Sequence, residues 1–213
     1  MTLRLFVLGA TGRTGTQIID LALARGHEVT AFVRSPAKIM RRHAALTVTK
    51  GDPLDARALG EALTGHDAVV SALGPVSREA FRPSTLLAEC AASTVSAMQR
   101  ADVARLAIVS AALLFPERKL SFVFFRWFIR HHLRDLEAME TVVRATDFEW
   151  TIARPPKLVD SPDETYQSRS GTYADGRFTL SFRATAAFMI DCVERDTHKK
   201  EIVGLARPKR GAA

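Results

Sequence analysis

The sequence predicts the α/β class: one domain built on a doubly wound parallel sheet with helices on both faces. Three observations carry that prediction. Apolar runs of strand length, rich in Val, Ile and Leu, alternate with helical patterns, as in a parallel sheet covered on both sides. The first run leads directly into GATGRTG and then into a helix. No internal repeat, low-complexity tract or linker interrupts the 213 residues, which are enough for one sizeable core.

Each element has its own signal. LRLFVLG (residues 3–9) reads as a buried strand. TGTQIIDLALARGH is a helix with Ile18, Leu21, Ala22 and Ala24 on or near one face and Gly26 as its stop. EVTAFVR and LTVTKGD are the next two strands, and PLDARALGEALTG is a helix with Pro53 in its first turn and glycine at its end. DAVVSALG, a long helix STLLAECAASTVSAMQRADV and a fifth strand RLAIVSAALLF follow. Beyond Phe115 the chain is aromatic and then regularly helical, with Leu136, Met139 and Val143 on one stripe. FEWTIARPP returns to strand and ends at Pro155. The polar residues 157–176 read as loop with room for a short strand, before a last helix RATAAFMIDCVERD and a last strand KEIVGLA. The domain is expected to span residues 1–206, its C-terminal elements adding a small substrate pocket, with 207–213 a frayed basic tail.

Composition narrows the partners. Hydrophobic content of 47% and charged content of 25% are ordinary for a soluble globular chain. A net charge of +7 and a pI of 9.9 admit nucleic acid, an acidic membrane surface or an anionic small molecule. The positive charges are scattered and no recognition motif occurs, which argues against nucleic acid. Cys90 and Cys192 form no close pair, against a zinc site or a disulfide framework, so a reducing cytoplasmic setting and no metal are expected. The apolar start is too short to span a membrane. A monomer or a homodimer is expected.

The glycines suggest a ligand. Gly9 permits the tight turn out of the first strand, Gly12 leaves room for a diphosphate, and Gly15 lets the helix pack close to the sheet. The helix start then offers amide N–H groups to an anion, with Thr11 and Thr14 as further donors. The alternative is a glycine-rich turn without a ligand. At the end of the second strand, where an NAD site places Asp or Glu, stands Arg34, with Lys38 one turn on. A guanidinium pairs with a 2′-phosphate, which favours NADPH over NADH; the alternative is a solvated surface pair. Ligands lie at the carboxyl ends of parallel strands. That rule puts Asp52, Pro53 and Leu54 at the adenine, Ser71, Ala72, Leu73 and Gly74 at the ribose and diphosphate, and Ser110 and Ala111 at the nicotinamide. Taken singly, each could be a plain strand end.

GATGRTG, VR, GD, DAVVSALG, VSA and WTIARPP, in that order, resemble the atypical short-chain dehydrogenases/reductases, and within them the NmrA-like and flavin reductase (biliverdin reductase B-like) NAD(P)H-binding proteins. The resemblance runs from Leu3 to about Leu205. It implies a Rossmann domain with NADPH held by Gly9, Thr11, Gly12, Arg13, Thr14, Arg34, Lys38 and Asp52, and Arg154, Pro155 and Pro156 bordering the nicotinamide and substrate. Typical short-chain enzymes carry Tyr-x-x-x-Lys on the helix after the fifth strand, the tyrosine as proton donor and the lysine lowering its pKa. Here that stretch reads HHLRDLEAMETVVR, with neither residue.

The expectation is therefore an NADPH-dependent reductase that passes hydride to a planar conjugated acceptor (a flavin, quinone or tetrapyrrole-like compound) without a Tyr-Lys pair. The alternative is a non-catalytic NADP(H)-binding redox sensor of the NmrA-like type. Ser110 occupies a catalytic serine position without its partner. His131 and His132 point about 100° apart on a helix; one of them is an acid candidate, here His132, although the preferred reading is surface or helix-start histidines. Glu140 reads as a solvated helix residue. Leu113, Leu114, Phe125 and Trp127 are expected at the substrate pocket. LSFVFFRWFIRHHLR is read first as a flap or pocket wall, then as an interface, then as a membrane contact.

Overall fold

The computed structural model describes residues 1–74, 83–116 and 129–209. Eight strands form the main sheet in the order β3-β2-β1-β4-β5-β6-β10-β8. They are β1 (Arg4–Leu8), β2 (Glu28–Val33), β3 (Leu46–Lys50), β4 (Ala68–Ser71), β5 (Arg105–Val109), β6 (Glu149–Arg154), β8 (Gln167–Ser170) and β10 (Glu201–Ala206). All neighbours pair parallel except β8, which lies antiparallel on β10 at the edge. β7 (Lys157–Val159) and β9 (Thr179–Ser181) pair parallel outside it. Strand order reverses between β1 and β4, and at such a switch point the flanking loops diverge and leave a crevice.

Period-two alternation of apolar side chains builds a core on each face. Leu5 and Val7 of β1 face the helices α1 (Arg13–Ala24) and α5 (Phe182–Arg195), whose Ile18, Ile19, Phe188 and Met189 are almost wholly buried. Phe6 and Leu8 face α2 (Ala56–Leu63), α3 (Leu86–Ala101) and α4 (Arg130–Arg144), which bury Leu59, Met98, Leu136, Met139 and Val143. The expected doubly wound sheet with helices on both faces is what forms. Among the described residues no helix is long and apolar enough to cross a membrane.

Local chemistry sets the boundaries and corrects several expectations. α1 stops where Gly26 adopts φ +82°. α2 begins only at Ala56, because the Asp55 carboxylate accepts from the amides of Arg57 and Ala58, both at 3.0 Å. Pro53 therefore precedes the helix instead of opening it. The fifth strand ends at Val109, and its expected continuation becomes a single 3-10 turn, Ala112–Leu114. The polar 157–176 stretch holds two short strands, not one. Arg207, expected to be frayed, exchanges backbone hydrogen bonds with Arg177. Asp135 of α4 is buried because it caps another helix: its carboxylate accepts from the amides of Leu87 and Ala88 at 3.2 and 3.1 Å, where α3 has no cap of its own. Phe125 and Trp127 lie outside the described residues.

Candidate functional site

A cleft of about 570 Å³ opens at the carboxyl ends of β1, β2, β4 and β5. The turn after β1 forms its floor. Gly9 turns with φ +72°, and a Cβ there would stand 2.4 Å from the Ala72 carbonyl oxygen. At Gly15 a Cβ would stand 2.1 Å from the Gly9 oxygen. Both glycines are thus demanded by the close approach of α1 to β1 and β4. Gly12 is different: a Cβ there would meet only the Gly9 oxygen at 3.2 Å. What its bare backbone leaves open is the cleft.

Gly12 is also the N-cap of α1, with no side-chain cap and no acidic residue in the first turn. The amides there have no partner within the helix and carry the positive end of its dipole toward the cleft. Thr11 and Thr14 add hydroxyls to the lining, and Arg34 and Lys38 stand exposed at its other end, just past β2. Among the described residues neither cation is in an ion pair. Arg13 lines the cleft as well, but its guanidinium is paired with Asp160 beyond β7 and lies 4.1 Å from the centre of the Phe182 ring. Among the described lining residues there is Arg13, Arg34, Lys38 and His132 but no carboxylate. A bare amide cradle in a cationic, carboxylate-free cleft suits a polyanion with a diphosphate at its middle.

Most of the expected residues meet here. Gly9, Thr11, Gly12, Arg13, Thr14, Arg34, Lys38, Pro53, Ala72, Leu73, Gly74, Ser110 and His132 line the cleft. Others do not. Gly15, in the first turn of α1, is buried against the backbone of Gly9 and Ala10. Asp52 turns its carboxylate to the Leu54 amide at 3.1 Å, and Leu54 stands out in solvent. Ser71 is buried inside the sheet. Ala111, Leu113 and Leu114 pack on the core under α2, α3 and α4. Pro155 and Pro156 are buried, the Pro155 carbonyl accepting from the Ala112 amide at 2.9 Å.

Three expectations need correction. Glu140 is not a solvated helix residue: it is 3% exposed and accepts from Arg154 Nε at 2.9 Å and Nη2 at 2.5 Å. Arg154 is spent on that pair and does not border the cleft. His132 stands in the first turn of α4, one of the two placements expected for it, but it is not at the surface. It is half-buried in the cleft wall, where desolvation lowers its pKa against the opposing pull of Asp135. His131 faces elsewhere, toward a shallow depression with Pro83 and Arg134. The apolar part of the wall, Leu136, Leu158 and Phe182, was missed in the sequence. Only Leu136 had a signal, its place on the buried helix stripe, since Leu158 sits in the short strand β7 and Phe182 opens α5 directly after β9.

The switch-point cleft, the amide cradle and the glycine turn together define a dinucleotide-binding Rossmann protein. The chain belongs to the NAD(P)H-binding family, whose model matches residues 9–196. It is 30% identical to the oxidoreductase stcQ of Emericella nidulans, across 89% of this chain and 77% of that one. Among solved structures it resembles a Rossmann-fold NAD(P)-binding family protein from Shigella flexneri, with a TM-score of 0.77 and 25% identity over 98% of this chain and 95% of that one. A Streptococcus pneumoniae protein assigned as an NADH-flavin reductase shares the fold at a TM-score of 0.72 and 21% identity, over 95% and 98% of the two chains.

Two substitutions separate packing from binding. Gly15→Ala should lower stability by about 1–3 kcal/mol through overpacking, read by urea unfolding. Gly12→Ala should leave the unfolding midpoint nearly unchanged while weakening NAD(P)H binding at least severalfold in a fluorescence titration. Equal loss of stability in both variants would contradict the assignment.

Proposed function

We propose that the protein is an NADPH-dependent reductase of the atypical short-chain type that passes hydride to a planar conjugated acceptor such as a flavin, quinone or tetrapyrrole-like compound. The observation that carries this reading is the wall contributed by α4. His132 and Leu136 line the cleft one turn apart, the spacing at which the short-chain resemblance would set tyrosine and lysine. A leucine carries no charge that could lower the pKa of a neighbouring hydroxyl. Alcohol oxidation, which requires a strong base, is poorly served. Reducing an acceptor that delocalises its own charge requires orientation and one proton.

Leu136, Leu158 and Phe182 offer the apolar surface on which a flat ring stacks. His132, held below the usual imidazole pKa mainly by burial, gives up its proton readily when charged, a state favoured on the acid side of neutrality. When bound, NADPH supplies the hydride, so that the acceptor gains two electrons and two hydrogens, one of them the His132 proton, and NADP⁺ remains. Arg34 and Lys38, which follow β2 and are in no ion pair among the described residues, support the choice of the phosphorylated cofactor. For the reductase reading itself, kinship with the oxidoreductase stcQ and the fold shared with a protein assigned as an NADH-flavin reductase lend support; neither bears on the choice of the phosphorylated cofactor.

The decisive assay is NADPH oxidation with flavin, quinone and biliverdin as acceptors. Turnover with at least one is expected; tight NADPH binding with no turnover across the panel would replace this reading by the redox-sensor one. Arg34→Asp should reduce the preference for NADPH over NADH by about 10- to 100-fold, the worth of a charge-assisted hydrogen bond, and an unchanged ratio would clear Arg34 of that role. A proton donor must be protonated to act. The reductive rate should therefore fall as pH rises through the depressed pKa of His132, and His132→Gln should flatten that limb of the profile.

A further inference from the structure

Behind Ser110 lies a buried polar cluster. Ser110 Oγ stands 2.5 Å from Glu140 Oε1, and Arg154 grips both carboxylate oxygens of Glu140. The Glu140 side chain is 4% exposed and that of Arg154 11%. The guanidinium also lies 4.5 Å from the centre of the Phe115 ring, which fixes it from a third side. Ser110 itself is 7% exposed and lines the cleft.

The hydrogen-bond roles in this cluster have one solution. A guanidinium has donors only. Both oxygens of Glu140 accept from it, and as the ion-pair partner of Arg154 Glu140 is a carboxylate with no proton to give, so the hydrogen between Oγ and Oε1 belongs to the serine. A serine hydroxyl has one proton and two lone pairs. With that proton directed at a buried carboxylate, only the lone pairs remain for the cleft. Turning the hydroxyl toward a ligand carbonyl would strip a buried charge of a hydrogen bond, which is strongly disfavoured.

We propose that Ser110 is a fixed hydrogen-bond acceptor, held so by Glu140 and Arg154, and that it selects a ligand group bearing an N–H. On the functional reading above, on which this choice of ligand rests, two N–H sources fit: the carboxamide of the nicotinamide, or the imide or lactam edge of a flavin or linear tetrapyrrole. A simple quinone offers carbonyl oxygens alone and is the disfavoured acceptor. Glu140 and Arg154 are positioning residues in this scheme.

The test measures binding as well as turnover, with the intact protein. NADPH is compared with its 3-acetylpyridine analogue, in which a methyl replaces the carboxamide NH₂ at nearly equal size. A flavin is compared with its N3-methyl derivative. One of the two changes should weaken binding about tenfold, the worth of a hydrogen bond to a polar acceptor, and so identify the source of the N–H. Ser110→Ala should abolish that discrimination. Equal affinity within both pairs overturns the proposal, and a penalty that persists in Ser110→Ala assigns it to bulk and overturns it as well. The wild-type ligand comparison stands even if Glu140 variants fail to fold. Discrimination at the carboxamide without turnover of any acceptor would sink the reductase reading and leave the role of Ser110 intact. Turnover of flavin with no discrimination would do the reverse.

Discussion

The close seating of α1 on the sheet is the contact from which the site is built. Gly9 bends the chain out of β1 with its Cα hydrogen against the Ala72 backbone, and Gly15 rests on the Gly9 carbonyl. An ordinary side chain at either place would push the helix off the sheet by the width of a methyl group. With α1 so close, its first-turn amides project into the crevice between β1 and β4, and its opposite end packs beside α5 over the Leu5–Val7 face. One steric requirement thus aligns the helix dipole, closes one core and opens the anion cradle. At Gly12 the packing is less demanding, a Cβ meeting only the Gly9 oxygen at 3.2 Å, and the backbone faces the cleft.

The second organising contact is electrostatic. A buried ion pair such as Glu140–Arg154 contributes little net stability, since desolvating both partners offsets most of their attraction. Its value is geometric. It ties α4 to the end of β6, and through Ser110 to the end of β5, so the three elements share one set of hydrogen bonds. Asp135 does similar work between α4 and α3 by capping one helix from another. Helix α4 is therefore positioned by two buried carboxylates, and the side chains it shows to the cleft, His132 and Leu136, inherit that placement.

How much of this was legible depended on whether the signal was local. The strand-turn-helix at GATGRTG, the cation after the second strand and the alternation of strands with helices were all readable, because each is a short-range pattern with a single structural outcome. Glu140 was misread for a specific reason. A charged residue on a helix is ordinarily solvated, and its partner Arg154 lies fourteen residues away on another element. Its spacing from Leu133, Leu136 and Val143 places it in the buried row of α4, a signal that outweighs the charge once it is counted. The family resemblance placed Arg154 at the pocket through WTIARPP, and a motif in one segment carries no sign of the commitment to Glu140 on another.

By itself, the sequence determined the fold class, the glycine turn of an NAD(P)H-binding chain and the cation that follows the second strand, because periodicity, glycine spacing and strand-end position act within a few residues. Tertiary structure decided which of those residues line the cleft. It withdrew Gly15, Ser71, Pro155 and Pro156 into packing, brought Leu158 and Phe182 to the wall, and set the direction of the Ser110 hydrogen bond. Those outcomes depend on which groups satisfy one another in the interior, where an unpaired polar atom is costly, and that pairing exists only once distant segments have met.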